Sequence, residues 1–282
     1  MNGGLLPGTR IEILNPQVQR GRVRFALFDW DGTVSLIREG WQQVMIPMMV
    51  EELLKLRTGE SREALEHLVA EFVTKLTGKQ TIYQMIALAE QVSLRGGNPQ
   101  DPVDYKRRYH DLLWARIKHR VAGLKDGSIE PDQLAILGSR QFLSALRERG
   151  VSLFLASGTD EAYVKDEVAA LRMTEFFDGG IYGAIDDYKK MSKKLVIERI
   201  LKENDLHGPE LVAFGDGYVE IRDCKAVGGV AVGLATLETE RGGLDHWKRD
   251  RLAGVGADII IPDFQEGELL LDYLLEDASP TV

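Results

Sequence analysis

Two kinds of segment alternate along this chain, short apolar runs and longer stretches whose apolar residues recur with helical spacing. The short runs are bounded by charged residues or glycine and predict buried strands at residues 23–28, 151–156, 180–184, 211–214, 230–234 and 258–261. Helices are predicted between the later strands, at residues 139–149, 160–171 and 192–203. This alternation favours an α/β fold with a mostly parallel sheet and helices on both faces.

The segment between the first two of these strands has only helical periodicity. Ser61 can cap a helix whose apolar residues form one continuous stripe. Further helices are predicted at residues 40–57, 81–92 and 104–121, and Pro47 is expected to kink or break the first of them. We therefore predict an all-helical module inserted after the first core strand.

Composition and charge limit the classes of partner. The 282 residues carry a net charge of −9, which disfavours nucleic acids and anionic membrane surfaces as partners. The single Cys224 cannot form an intramolecular disulfide, so a reducing compartment is favoured. The N-terminus lacks a signal-peptide pattern, and no run approaches the length of a membrane span. We expect a cytoplasmic protein.

Polar residues follow several predicted strands at the point where each strand ends. Asp29 and Asp31 follow the first strand, Ser157 follows the next, and Asp216 follows a later one. In parallel sheets ligands bind at the carboxyl ends of the strands. Two carboxylates so close together repel each other, so the pair calls for a cation.

Four short motifs occur in order, namely Asp29-Trp30-Asp31-Gly32-Thr33, Ser157-Gly158-Thr159-Asp160, a lysine at a helix start, and Gly215-Asp216-Gly217 followed by Glu220. By these motifs the chain resembles the haloacid dehalogenase-like superfamily, whose members are mostly phosphatases. The resemblance implies a Rossmann-like, mostly parallel core with an inserted helical cap domain. The implied boundaries are residues 1–35 and 133–282 for the core and 36–132 for the cap.

The resemblance also implies roles for the acidic residues. Asp29 is expected to be the nucleophile that forms an aspartyl-phosphate, and Asp31 the general acid and base. Mg²⁺ is expected as cofactor, held by Asp29, the backbone carbonyl of Asp31, and Asp216. Glu220 stands where many relatives carry aspartate. It is assigned to the metal, directly or through water, with helix capping as the alternative.

Ser157 and one lysine are the expected phosphate contacts. Ser157 would bind phosphoryl oxygens, with Gly158 allowing close approach, although it could instead merely cap the next helix. Lys193 continues the apolar stripe of its helix, so it should point inward and need an anionic partner. Lys190 is the alternative lysine. The remaining candidate substrate contacts are Thr33, Arg38, Trp41 and Lys79, of which Arg38 would bind a second anionic group and Trp41 would stack on a ring.

The expected activity is Mg²⁺-dependent hydrolysis of a small phosphorylated metabolite, with sugar phosphates favoured. A sugar-phosphate mutase can carry the same four motifs and stays open, as does a non-catalytic binding module. Relatives that act as dehalogenases lack the second aspartate, and phosphonoacetaldehyde-hydrolase relatives carry alanine where this chain has Asp31. The oligomeric state stays open.

Overall fold

The computed structural model describes residues 3–185, 192–205 and 207–276. In these residues eight strands form a sheet in the order β1-β2-β8-β7-β6-β3-β4-β5. Strands β3 to β8 pair in parallel, whereas β1 and β2 add an antiparallel edge. The strands are β1 Gly4–Leu5, β2 Glu12–Ile13, β3 Phe25–Phe28, β4 Ser152–Asp160, β5 Gly180–Ala184, β6 Leu211–Gly215, β7 Val230–Leu234 and β8 Ile259–Ile261.

The helices confirm the predicted α/β class and the helical insertion. The first four form the insertion that follows β3, at α1 Gln42–Leu54, α2 Arg62–Leu76, α3 Thr81–Leu94 and α4 Pro102–Asp126. The others are α5 Ser139–Glu148, α6 Glu161–Ala170, α7 Lys193–Glu203, α8 Tyr218–Ala226, α9 His246–Gly254 and α10 Gly267–Leu275. No helix in the described ranges has both the length and the apolar character needed to cross a membrane.

Local sequence signals explain how the inserted helices begin and continue. The hydroxyl of Ser61 accepts a hydrogen bond from the Ala64 amide at 3.2 Å, which confirms the predicted cap of α2. Helix α1 runs on through Pro47, so the expected break does not occur. Proline removes a single backbone donor, and four apolar residues near it in α1 (Met45, Met48, Met49 and Val50) are buried, which holds the helix in place.

An aromatic cluster fixes the strand ends that carry the acidic motifs. Phe28 of β3 pairs with Phe214 of β6 in register, and their rings stack with centroids 4.6 Å apart. Phe142 of α5 packs edge-on against both rings and stacks on Phe264. Because Asp29 follows Phe28 directly and Asp216 lies two residues after Phe214, the packing sets the positions of these carboxylates.

We expect Phe142→Ala to lower the free energy of unfolding by about 3–5 kcal/mol, because it opens a cavity within this cluster. Urea denaturation measures the change. Leu269→Ala is the control, since Leu269 is 48% exposed on α10 and its truncation should cost less than about 0.5 kcal/mol. An equal loss in both variants would contradict the role given to the cluster.

Candidate active site

The carboxyl ends of β3, β4 and β6 bring the motif residues together around one cavity of about 90 Å³. Parallel pairing places Phe28 beside Leu155 on one side and Phe214 on the other, so the residues after all three strands meet. The motif side chains that line the cavity are Asp29, Asp31, Ser157, Lys193 and Asp216. The inserted helices and their connections supply the opposite wall with Arg38, Trp41, Lys79 and Tyr109, among others.

Lys193 joins two buried carboxylates at the floor of the cavity. Its ammonium lies 2.9 Å from Oδ1 of Asp29 and also forms an ion pair with Glu220. Asp29 and Lys193 are 5% and 6% exposed, so water screens this contact weakly. Lys193 therefore points inward toward an anionic partner, as its place on the helical stripe predicts. Lys190 lies outside the described residues.

Glu220 is placed by its neighbours against Lys193. A Cβ atom at Gly215 would lie 2.8 Å from its Cγ, and one at Gly217 would lie 2.8 Å from its Oε2. Both glycines thus make room for the Glu220 side chain. Its carboxylate pairs with the Lys193 ammonium. A role of Glu220 at a metal stays a prediction.

Asp31 has two oxygens in different environments. Oδ2 accepts a hydrogen bond from the Thr159 hydroxyl at 2.8 Å, while Oδ1 is buried and has no hydrogen-bond partner in the described residues. The guanidinium of Arg38 lies 3.8 Å from Oδ1. Burial raises the pKa of Asp31 to about 7, although the Arg38 charge opposes the shift. A carboxyl with such a pKa can hold and release a proton near neutral pH.

The Ser157 loop touches the inserted helices directly. Ser157 is 2% exposed, and its hydroxyl accepts the Thr159 amide at 3.0 Å. A Cβ atom at Gly158 would lie 2.9 Å from the carbonyl oxygen of Lys79. Glycine is therefore required for the close approach of the α2–α3 connection to this loop.

Thr33 ties two motifs together and faces away from solvent. Its hydroxyl accepts a hydrogen bond from the Asp216 amide at 3.0 Å, and Thr33 is fully buried. Gly32 has a φ of 74°, and a Cβ atom there would overlap the Asp216 carboxylate. The first motif and the last one thus pack as a unit.

The segment 238–251, to which the sequence motifs assign no role, contributes two residues at the site. Lys248 of α9 donates to Oδ2 of Asp216 at 2.9 Å and to Oε1 of Glu238 at 2.6 Å. Burial raises the pKa of Asp216, and Lys248 opposes this shift. No motif marks Lys248 or Glu238, since a run of mixed charges is typical of an exposed helix.

Thr33, Arg38, Trp41 and Lys79 are the remaining residues predicted to contact the substrate; the last three line the cavity, whereas the buried Thr33 does not. Arg38 is paired with a buried glutamate, Glu167, at 2.8 Å, which leaves its charge largely compensated. The ammonium of Lys79 lies 5.5 Å from the centroid of the Tyr83 ring. Trp41 is half-buried against the apolar core.

The donor set suits a hard divalent cation with few protein ligands. No cluster of three or more histidine, cysteine or acidic side chains occurs in the described part of the chain that could hold a metal ion. Asp29 and Asp216 do face one cavity, and their mutual repulsion contributes to the raised pKa of Asp216. Mg²⁺ takes one or two carboxylates and keeps several waters, so these residues fit it.

We expect Glu220→Gln to lower the free energy of unfolding by about 2 kcal/mol or more, because it removes one half of a buried ion pair with Lys193. Urea denaturation at pH 7 measures the change. Glu198→Gln is the matched control, since Glu198 pairs with Lys194 at 3.6 Å on the exposed face of α7 and should contribute less than about 0.5 kcal/mol. Equal losses in the two variants would show that the buried pair contributes no more to the free energy of unfolding than the exposed pair does.

Comparisons with known proteins bear on the fold and the family. No curated protein matches the chain. Similar structures include a predicted phosphatase from Clostridium acetobutylicum (17% identity, 91% and 100% of the two chains covered, TM-score 0.58). A predicted phosphoglycolate phosphatase from Haemophilus somnus 129PT is also similar (14% identity, 88% and 97% of the two chains covered, TM-score 0.58). So is a phosphonoacetaldehyde hydrolase-like protein from Oleispira antarctica (15% identity, 92% and 97% of the two chains covered, TM-score 0.59).

At these identities the structural neighbours show the fold alone. The family comes from the sequence itself, because the haloacid dehalogenase-like hydrolase model matches residues 23–228, from the start of the first core strand to just before β7. That range contains all four motifs and every residue to which they assign a catalytic role. The chain therefore belongs to the haloacid dehalogenase-like hydrolases.

Proposed function

We propose that this hydrolase is a Mg²⁺-dependent phosphatase that cleaves a small phosphomonoester through an aspartyl-phosphate on Asp29. The observation that carries the proposal is the pair of carboxylates at the end of β3. Asp29 is held by Lys193 at the cavity floor, while Asp31 keeps a raised pKa and one oxygen without a hydrogen-bond partner. One carboxylate thus suits a nucleophile, and the other suits a proton donor.

The reaction follows from these two roles. An Asp29 oxygen attacks phosphorus while the bond to the ester oxygen breaks, and Asp31 gives its proton to that leaving oxygen. Asp31 then takes a proton from water as the water oxygen attacks the phosphorus of the aspartyl-phosphate. Inorganic phosphate leaves and Asp29 is regenerated as a carboxylate.

Three groups of the chain would hold the phosphoryl oxygens during both steps. The Ser157 hydroxyl and the Lys193 ammonium face the same cavity as Asp29, and Gly158 also lines it. Asp29, Asp216 and the backbone carbonyl of Asp31 would hold Mg²⁺. When bound, this cation would neutralise charge between the carboxylates and the phosphate dianion.

The cavity favours a small substrate, and we keep a phosphorylated sugar or similar metabolite as the class. The α2–α3 connection already contacts the Ser157 loop, which leaves little room for a phosphoprotein. We take residues 36–132 as the cap that selects this substrate, with Lys79, Trp41 and Arg38 on its side of the cavity. The phosphonoacetaldehyde hydrolase reaction is disfavoured, because an alkoxide leaving group is what requires the acid Asp31.

We expect Asp29→Asn to reduce phosphate release from an active substrate by at least about 1,000-fold, since an amide is not a nucleophile toward phosphorus. The measurement is phosphate release from a panel of sugar phosphates, glycerol phosphate, phosphoglycolate, nucleotides and p-nitrophenyl phosphate. Asp104→Asn, an exposed aspartate on α4, is the control and should retain full activity.

The same panel separates the competing functions. A mutase would interconvert sugar phosphates in a bisphosphate-dependent way and release little phosphate. A binding module would neither hydrolyse nor interconvert any of them. Release that survives Asp29→Asn in protein free of contaminating phosphatase would contradict the mechanism.

We also expect Mg²⁺ to raise the Tm of the wild-type chain and to leave that of Asp216→Asn nearly unchanged. A ligand present at about 100 times its Kd stabilises a folded protein by about 2.7 kcal/mol. Thermal denaturation with Mg²⁺ or with EDTA measures the shift. Asp272→Asn, an exposed change on α10, should keep the full shift, and an intact shift in Asp216→Asn would remove that residue from the metal site.

A further inference from the structure

Two polar side chains on the inserted helices are buried and yet face the cavity, from the side opposite the motifs. Tyr109 of α4 is 3% exposed and Gln84 of α3 is 4% exposed, and both line the cavity. Neither belongs to any of the four motifs. A polar group at a core position costs free energy unless it finds a hydrogen-bond partner, so the partners of these two groups indicate what they do.

Tyr109 lies on the buried stripe of α4 but differs from its neighbours there. Tyr105 and Leu113, four residues to either side, are buried with it. The Tyr105 hydroxyl accepts a hydrogen bond from the Gln100 amide at 3.2 Å, whereas the Tyr109 hydroxyl has no hydrogen-bond partner in the described residues. Its oxygen is not sealed from solvent, unlike Oδ1 of Asp31, so a ligand in the cavity can reach it.

Gln84 lies on the apolar face of α3 with Met85 and Leu88, both fully buried. Its Nε2 donates to the carbonyl oxygen of Val73 at 3.5 Å, which is longer than a usual hydrogen bond. Its Oε1 accepts no hydrogen bond in the described residues and is likewise not sealed from solvent. The amide thus keeps its acceptor, and most of its donor capacity, for a ligand.

Other polar groups on this wall of the cavity are already engaged. Glu39 pairs with Arg120 at 3.1 Å, and the Thr77 hydroxyl donates to the Val73 carbonyl oxygen at 3.1 Å. The phenol and the amide that keep free capacity are both neutral, and each can donate and accept a hydrogen bond. These properties match the hydroxyl groups of an alcohol better than a second anionic group or an apolar surface.

We propose that Tyr109 and Gln84 are specificity-determining residues that form hydrogen bonds with hydroxyl groups on the alcohol part of the substrate. The substrate is accordingly the phosphate ester of a polyol or a sugar, with its phosphate at the motif residues and its hydroxyl groups at α3 and α4. An ester without those hydroxyl groups would leave both buried side chains unpaired, which lowers its kcat/KM. This inference rests on the proposed phosphatase function.

The test uses two matched pairs of phosphate esters with the full-length Mg²⁺-loaded protein. Glycerol 3-phosphate is paired with n-propyl phosphate, and glucose 6-phosphate with cyclohexylmethyl phosphate. The members of each pair differ only in the oxygen atoms of the alcohol part. We expect kcat/KM of the wild-type chain to favour the hydroxylated member of at least one pair by about tenfold or more.

Conservative variants then assign that preference to the two side chains. Tyr109→Phe removes only the hydroxyl oxygen, and Gln84→Met keeps the length of the side chain without its amide. Each change should lower the preference about fivefold, the effect of one neutral hydrogen bond, and the double variant should lower it at least about tenfold.

Tyr105→Phe is the matched control. Tyr105 is an equally buried tyrosine of the same helix, its hydroxyl is bound by the Gln100 amide, and it does not line the cavity. This change removes a hydrogen bond from the inserted helices without removing a group from the cavity. It should leave the preference for the hydroxylated ester unchanged.

Purely structural roles for the two residues would give another result. Equal losses of activity toward both members of a pair in these variants would overturn the inference while phosphatase activity stands. So would a wild-type chain that favours neither hydroxylated ester. Absence of Asp29-dependent phosphate release from all four esters and from p-nitrophenyl phosphate would overturn the proposed function and this inference together.

Discussion

The crowding of carboxylates at the ends of β3 and β6 is the constraint on which the rest of the site depends. Asp29, Asp31, Asp216, Glu220 and Glu238 all lie around one small cavity or directly behind it. Buried like charges raise one another's free energy, so each must be compensated by a cation or must keep a proton. Several features of the fold place cationic side chains beside these carboxylates.

Each cation reaches the strand ends from a different element. Lys193 comes from the first turn of α7 and Lys248 from α9, while Arg38 comes from the connection into the inserted helices. A fourth contact ties the inserted helices to the core, since Lys106 of α4 donates to Oδ1 of Asp160 at 2.5 Å, just after the Ser157 loop. Buried ion pairs often contribute little net stability, so this arrangement is better explained by what the carboxylates do than by folding alone.

The sequence predicts the strands and the motif residues because both have local signals. An apolar run that ends in Asp29-Trp30-Asp31 is visible without its neighbours in space, and the inward direction of Lys193 follows from helical spacing. Ends of elements are predicted less well. Strand β4 continues to Asp160, four residues beyond its apolar run, because pairing with β5 extends it past the motif serine.

Lys248 and Glu238 could not be predicted in the same way. Asp216, which Lys248 contacts, lies 32 residues away in the sequence. Glu238 meets Lys248 only because α9 packs on β7. Glu167 did have a weak signal, since it shares the apolar face of α6 with Val164 and Val168, as Lys193 shares that of α7. A charged residue on an apolar helix face has to find a partner, but the sequence does not say which one.

The fold alone does not determine the reaction, because neighbours of similar overall structure carry names as different as phosphatase and phosphonoacetaldehyde hydrolase-like protein. The distinguishing chemistry lies in single atoms. In this chain Asp31 lies two residues after Asp29, and one of its oxygens accepts from Thr159 while the other is buried without a hydrogen-bond partner in the described residues. Arg38 lies between this aspartate and Glu167, so its guanidinium compensates charge at the cavity wall while its Nε hydrogen bond is directed toward Glu167.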